Sequence, residues 1–464
     1  MATHLQAVEK WKNLPWKELQ KIKTTIQYKI YKAAQNNDIS TVRSLQKKLF
    51  EEISIRYLAV KQVTEIDINK NISGIDGQSK LSAYDKFILS EEIKELSNIE
   101  YESLRDIVIV KVNGGRELIS IPIIKDRAIE CLIQYALEPV YAAYASLYSY
   151  RFRKKRNPWE IQKVIYNSFR VLSKNASKRI IEINLRKCLE EAHYNEILKE
   201  IVLPEDAKSF LLSGIKAGIF NDYLKNSNSL YVSNRIAPLL EDILLNGIED
   251  IYNIPKRSSI TYELSSNNLI NNQRGIRVGN QAVFIIESYE DPEDLKHQLF
   301  QFLLLKGLNP QTLQLKITDI TNGFDFLDWH FKVKAKNNKF VCYPSKSSCI
   351  NTKSTIKNIM RNTKYKLDDR LAMVKIEYIK WRLYNQYCDM RQVKTRLWYL
   401  SKWTYKYGKK QISKQKKETR STSKEKLLTK VKDIFNGHKY QINGYILDNK
   451  LESKNFLRGL RKDI

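Results

Sequence analysis

Residues 180–189 read Ile-Ile-Glu-Ile-Asn-Leu-Arg-Lys-Cys-Leu, and residues 275–287 read GIRVGNQAVFIIE. Residues 180–185 and 283–286 are short apolar runs of the kind that form buried strands. Neutral amides stand beside them, Asn184 in the first and Asn280 and Gln281 just ahead of the second. Working outward, residues 106–112 alternate as a strand into Asn113-Gly114-Gly115, a hairpin signal, and residues 118–124 return. Upstream, Trp16, Leu19, Ile22, Ile26, Ile30 and Ala33 recur at helical spacing. Asn36-Asn37-Asp38 interrupts the pattern, and Val42, Leu45, Leu49 and Ile53 resume it. Two amphipathic helices are therefore expected over residues 9–63, then a turn at Gly74-Ile75-Asp76-Gly77. Helix is also expected over 128–144 and most of 352–407, with a mobile Lys-rich stretch at 408–426.

The chain has 464 residues, enough for two to four packed units, and its 42% hydrophobic content permits real cores. No run of about twenty apolar residues suggests a membrane span. The net charge of +29 is unevenly placed. Residues 331–464 hold 35 Lys+Arg against 10 Asp+Glu, whereas the first 330 residues hold 45 against 41. The basic third is laced with Trp381, Tyr384, Tyr387, Trp398, Tyr399, Trp403, Tyr405 and Tyr407. Cations with interleaved rings suit RNA, whose phosphates take the charge and whose unpaired bases stack. About half of these rings are expected to serve a helical core instead. Cys131, Cys188, Cys342, Cys349 and Cys388 form no CxxC pair, which points to a reducing compartment and against a structural zinc. The opening residues have neither a signal-peptide core nor transit-peptide character. Abundant Lys, Ile, Asn and Tyr with scarce Gly fit an AT-rich coding genome. An organelle-encoded protein, plastid by preference, fits both features, and so does one from a mitochondrion or an AT-rich bacterium.

Several ordered motifs resemble the group II intron-encoded reverse transcriptase/maturase family over about residues 9–407. Near the N-terminus these are Trp11 and Trp16, Ile30-Tyr31-Lys32-Ala33-Ala34, Val42-Arg43-Ser44-Leu45-Gln46, Leu58-Ala59-Val60-Lys61-Gln62-Val63-Thr64 and the turn at 74–77. They look like the family's N-terminal extension, which contacts intron RNA. RELISIPIIKDR at 116–127, Ala136-Leu137-Glu138-Pro139 and Ser149-Tyr150-Arg151-Phe152-Arg153 resemble the fingers region. Arg151 stands where the family usually has Gly. The matching basic positions are Arg116, Lys125, Arg127 and Arg153, with Lys154 and Arg156 following and Lys61 upstream. The resemblance implies an α+β, right-hand polymerase-like fingers/palm with an N-terminal helical extension, followed by an α-helical thumb/maturase domain. The implied division is 1–75, 76–340, 341–407 and a basic C-terminal segment at 408–464.

At the catalytic positions the chain departs from the family. The strand that should carry the first metal-binding Asp has Asn184. Arg277-Val278-Gly279-Asn280-Gln281 aligns with the Tyr-Ala-Asp-Asp turn, and Ser233-Asn234-Arg235 replaces a Gln-Gly-Gly turn. A polymerase clamps its reacting oxygens with two Mg²⁺ ions, and Mg²⁺ favours carboxylates over neutral amides. Gly323-Phe324-Asp325-Phe326-Leu327-Asp328-Trp329 then restores the match. Glu182, two residues before Asn184 on the same strand face, and Glu287 are expected to be exposed or paired strand-end carboxylates rather than substitute ligands. No catalytic residue, metal or cofactor is therefore expected.

Residues 381–387 and 397–403 resemble the thumb and maturase domain, which grips intron RNA in relatives. The expected RNA-contacting residues there are Lys353, Lys357, Arg361, Arg382, Tyr384, Tyr387, Arg391, Lys394, Arg396, Lys402, Trp403, Lys409 and Lys410. Beyond 407 there is one histidine, His438, and no cysteine, so no DNA endonuclease module is expected there. The sequence thus points to an inactive reverse-transcriptase homologue that binds group II intron RNA and assists splicing. Its rivals are an active polymerase with relocated metal ligands, a general RNA-binding remnant and a decaying reading frame.

Overall fold

The computed structural model describes residues 2–448 except 98, 111–115, 147, 152–157, 171–177, 191–197, 200, 227–234, 252–273, 288, 337–338, 414–419, 437–438 and 443–444. The chain opens on α1 (Ala2–Lys12), α2 (Trp16–Gln35), α3 (Ile39–Glu51) and α4 (Ile53–Lys61), followed by α5 (Ala83–Glu92). The two expected helices are thus four. Pro15 separates the first pair, and Glu52, with an extended ψ of 109°, separates α3 from α4. The break at 36–38 falls where expected. Asn37 takes φ 57°, and Asp38 caps α3 by accepting from the Thr41 N–H at 3.0 Å. Ile26, Ile30, Ala33, Val42 and Leu49 are buried, as their spacing implies.

β1 (Arg105–Val110) and β2 (Arg116–Ile121) form an antiparallel hairpin in which Val108 faces Leu118. The Asn113-Gly114-Gly115 signal lies outside the described residues. After Pro122 the chain enters α6 (Ile124–Tyr144), which begins four residues earlier than its periodicity alone suggested. Gly74 abuts its start: a Cβ there would lie 2.6 Å from the Ile123 Cα, so only glycine fits. α6 is buried on nearly all sides, from Ala128 through Tyr141, and forms the axis of the largest hydrophobic core.

Next come α7 (Pro158–Arg170), β3 (Arg179–Asn184), α8 (Arg186–Glu190), α9 (Glu205–Lys216), α10 (Ile219–Asn226) and α11 (Ala237–Leu244). They are followed by β4 (Gly275–Val278), β5 (Gln281–Ile286), α12 (Pro292–Leu305) and β6 (Gln314–Asp319). β3 lies inside an antiparallel sheet ordered β4-β5-β3-β6. Alternation along β3 divides its isoleucines between two cores. Ile181 and Ile183 join the helical core, whereas Ile180 joins a second one with Val283, Ile285 and Trp329. That second core also includes a three-stranded sheet, β7 (Phe324–Phe326), β8 (Trp329–Lys334) and β9 (Lys339–Pro344). Leu327 and Asp328 at its first turn both have positive φ, the geometry of a tight two-residue hairpin.

The C-terminal helices are α13 (Lys346–Arg361), α14 (Leu367–Tyr384), α15 (Lys394–Ser413) and α16 (Arg420–Asn436), followed by the hairpin β10 (Lys439–Ile442) and β11 (Tyr445–Asp448). A third core joins Ile356, Met360, Val374 and Leu400 to Leu427, Val431 and Ile434. This corrects the expectation of a mobile stretch at 408–413 and 420–426, while 414–419 lie outside the described residues. α15 runs unbroken through position 407, and α16 returns to cover the same core because its apolar residues repeat at helical spacing. No helix among the described residues is long and apolar enough to cross a membrane.

Candidate nucleic-acid interface

The sheet brings the three amide residues together at one end. Asn184, the last residue of β3, lies opposite Gln281 on β5 and Gln314 on β6. Its Oδ1 accepts from the Arg186 N–H at 3.0 Å, while the Leu185 N–H donates to the Asn280 carbonyl at 2.8 Å. Gly279, with φ 58°, makes the turn. A depression of about 300 Å³ opens over this end, walled by Glu182, Asn184, Gln281, Gln314, Lys316 and Asp325. The Glu182 carboxylate accepts from Lys316 Nζ at 2.8 Å and Thr318 Oγ1 at 3.4 Å. Glu287 is ion-paired with Lys178. Both acids therefore have partners, as expected of paired strand-end carboxylates.

Behind the turn lies a buried ionic network that sequence reasoning missed. Arg277 is fully buried; its Nε donates to Glu249 Oε2 at 2.8 Å and its Nη1 to Asp242 Oδ1 at 2.6 Å. Nη1 also reaches the Gly279 carbonyl at 3.2 Å, and Nη2 reaches Ser149 Oγ at 3.1 Å. Burial disfavours the guanidinium charge, but Glu249 and Asp242 outweigh it and hold Arg277 protonated. Burial pushes Asp242 up to about 6 even though Arg277 and Arg151 oppose the shift. Arg151 donates to Glu241 Oε2 at 2.6 Å and to Tyr223 Oη at 2.9 Å, and its Nη1 would sit 2.7 Å from a Cβ on Gly279. The one sequence signal was Glu241-Asp242 inside an apolar helix, since adjacent buried acids require a buried cation.

The second candidate surface lies between α13 and α15. Residues 346, 349, 350, 353 and 357 make one stripe on α13, and 396, 399, 400, 403 and 406 make another on α15. Together they wall a cavity of about 590 Å³. Five of the expected RNA-contacting residues meet there: Lys353, Lys357, Arg396, Lys402 and Trp403. Lys357 lies 5.0 Å and Arg361 5.9 Å from the centre of the Trp403 ring, and Lys402 lies 4.6 Å from that of Trp398. A smaller depression of about 330 Å³ shares Lys316 and Asp325 with the sheet-end site and Lys346 and Arg396 with the helical cavity. The three hollows thus share walls from the amides to the basic helices.

The other expected residues divide between surface and interior. Arg116, Lys394, Lys409 and Lys410 are exposed. Lys125 is half-buried, 3.9 Å from Glu92. Lys61 lies 3.6 Å from the centre of the Trp16 ring, and Arg391 is gripped by Asp389 through bonds of 2.8 and 3.1 Å. Two buried cations, Arg127 and Arg382, correct the expectation of an RNA-facing side chain, and two half-buried tyrosines pack against other rings. Arg127 is buried and donates to the Asn69 and Ile72 carbonyls at 3.1 and 2.9 Å, tying down the turn before α5. Arg382 is buried at 2% exposure, on the packed side of α14. Tyr384 stacks on Trp329 at 4.7 Å and donates to the Leu327 carbonyl at 2.9 Å, and Tyr387 meets Trp159 edge-on at 5.9 Å. Arg153, Lys154 and Arg156 lie outside the described residues, as do Ser233 and Asn234.

Residues 11–93 match the family described as the N-terminal domain of reverse transcriptase. This match and the two maturase-like relatives that follow support the resemblance to the group II intron maturase and reverse transcriptase-like family. "Maturase-like protein 1" of Euglena gracilis is 25% identical over 394 residues, covering 84% of this chain and 81% of that protein. "Maturase-like protein 1" of Euglena longa is 24% identical over 426 residues, covering 91% and 87%. "Protein YkfC" of Escherichia coli is 26% identical over 182 residues, 37% of this chain and 48% of that protein.

Proposed function

We propose that this chain is a maturase-like protein without polymerase activity that binds group II intron RNA and favours its splicing-competent fold. The observation that carries this reading is the meeting of Asn184, Asn280 and Gln281 at one sheet end. The family resemblance assigns acids to those positions, and the scaffold that joins them is intact. The β4-β5-β3-β6 sheet is read as the palm and the β1-β2 hairpin as part of the fingers. Helices α13 to α16 are read as thumb and maturase domain, with α1 to α4 and the turn after them as the N-terminal extension. The AT-rich composition fits an organellar setting, plastid by preference.

The residues at the sheet end do not fit a Mg²⁺ pair. Amide oxygens carry no charge, and the nearest acid on the strand, Glu182, is held by Lys316, whose ammonium would repel a divalent ion. A protein that stabilises one RNA fold needs only differential affinity. About 1.4 kcal/mol in favour of the active fold shifts the population tenfold. The basic helices supply most of the salt-dependent grip in this reading, each phosphate contact steepening the salt slope by somewhat under one unit.

The test is competitive binding of the full chain to a folded group II intron RNA and a structured RNA of equal length, with primer extension in Mg²⁺ run alongside. Preference for the intron without extension supports the proposal. Equal affinity would reduce the protein to a general RNA binder, and extension would restore the polymerase.

A further inference from the structure

We propose that the cavity between α13 and α15 captures a single unstacked base of an RNA loop or bulge, with the flanking phosphates lying on its cationic rim. This deepens the RNA-binding reading above and rests on it. The cavity combines two surfaces that suit one ligand. Its floor is apolar, built from Cys349, Leu397, Leu400 and the rings of Trp381 and Trp403. Its rim carries Lys346, Lys353, Lys357, Arg396, Lys402 and Lys406, and among the described residues no carboxylate lines it. Among the described residues none of these six cations is ion-paired. Burial and the neighbouring Lys353 and Arg361 both push Lys357 below the usual lysine range, a mark of uncompensated positive charge.

Water already satisfies isolated lysines, so the rim alone would indicate only a polyanion. The apolar floor narrows the choice. Tyr399 at the mouth is 61% exposed and Ile350 is 53% exposed, both costly to leave in water. At about 590 Å³ the space falls within the range of sites that enclose a small flat ligand. Duplex RNA presents no free base face, whereas a loop or bulge does. An aromatic platform beside a row of cations is the arrangement that holds single strands.

The probe pair is a labelled oligouridylate and an abasic ribose-phosphate strand of the same length, so that charge is constant and only the bases differ. The full chain should bind the oligouridylate about tenfold more tightly. Tyr399→Leu should abolish that preference while leaving the abasic strand's affinity unchanged; Tyr399 is exposed, so the fold should survive. The double change Lys353→Gln with Lys402→Gln should weaken both strands alike and flatten the salt dependence. Equal affinity of the unaltered protein for the two strands would overturn base capture while leaving RNA binding standing. A base preference that survives both Tyr399→Leu and Trp403→Leu would place the captured base elsewhere and overturn it too. If neither strand binds but polyglutamate does, the groove serves an acidic protein partner and base capture is overturned, while the intron reading is decided separately by the folded-RNA competition.

Discussion

Arg277 and the cations of α13 and α15 carry the same charge into opposite surroundings. Arg277 is sealed behind the sheet-end turn, where Asp242 and Glu249 meet it at 2.6 and 2.8 Å. Around the helical cavity six cations stand with no acid among the described lining residues. Buried charge must be neutralised from within, because the interior offers no water to screen it. Surface charge can be left for a partner to neutralise, at a modest cost in self-repulsion. The first region therefore fixes the geometry of the turn, and the second is open to an external anion.

The sharpest way to break the contrast is Arg277→Met. It strands Asp242 and Glu249 without their cation, and unfolding free energy should fall by about 3–5 kcal/mol in denaturant titrations. Retained stability would mean that the network is not essential to the fold. Next in size is charge reversal of Lys353, Lys357, Arg396 and Lys402 to Glu. RNA affinity should drop at least about a hundredfold, and the dependence of log K on log salt should become shallower by roughly three units. An unchanged slope would move the RNA grip off this face.

A smaller effect tests the helical core. Glu130 is buried beside Asp126, accepts from Tyr101 Oη at 2.6 Å, and burial pushes its pKa up to about 7. Between the ordinary carboxylate range and about 7, the folded state holds more protons than the unfolded one, so stability falls as pH rises through that window. Glu130→Gln keeps an acceptor for Tyr101 and removes the titration. It should be about 1–2 kcal/mol more stable than the parent above pH 7, with a flatter pH profile in thermal melts. The smallest change expected is from restoring Asp at 184, 280 and 281. RNA affinity should stay within about twofold, since this end of the sheet is a minor contributor to the electrostatic grip.

Local signals were legible in the sequence. Asn36-Asn37-Asp38 ended α2 where its positive-φ residue and Asp cap required, and IIEIN named the central strand by its apolar run. The sharing of one sheet end by Asn184, Asn280 and Gln281 was implied by the family resemblance, which assigns all three to metal-binding positions. What escaped notice depended on partners distant along the chain. Arg127 reads as a surface cation until the Asn69 and Ile72 carbonyls, more than fifty residues upstream, are seen to hold it. Arg277 needed acids 28 and 35 residues away. The helical cavity was half visible, because Lys353 and Lys357 lie one turn apart while the facing Tyr399 and Lys406 belong to another helix.

The most direct measurement is to crosslink the native protein in its own organism, immunoprecipitate it and sequence the attached RNA. The account predicts strong enrichment of one or a few group II introns, with crosslinks mapping to α13 and α15. A flat spread across cellular transcripts would contradict it.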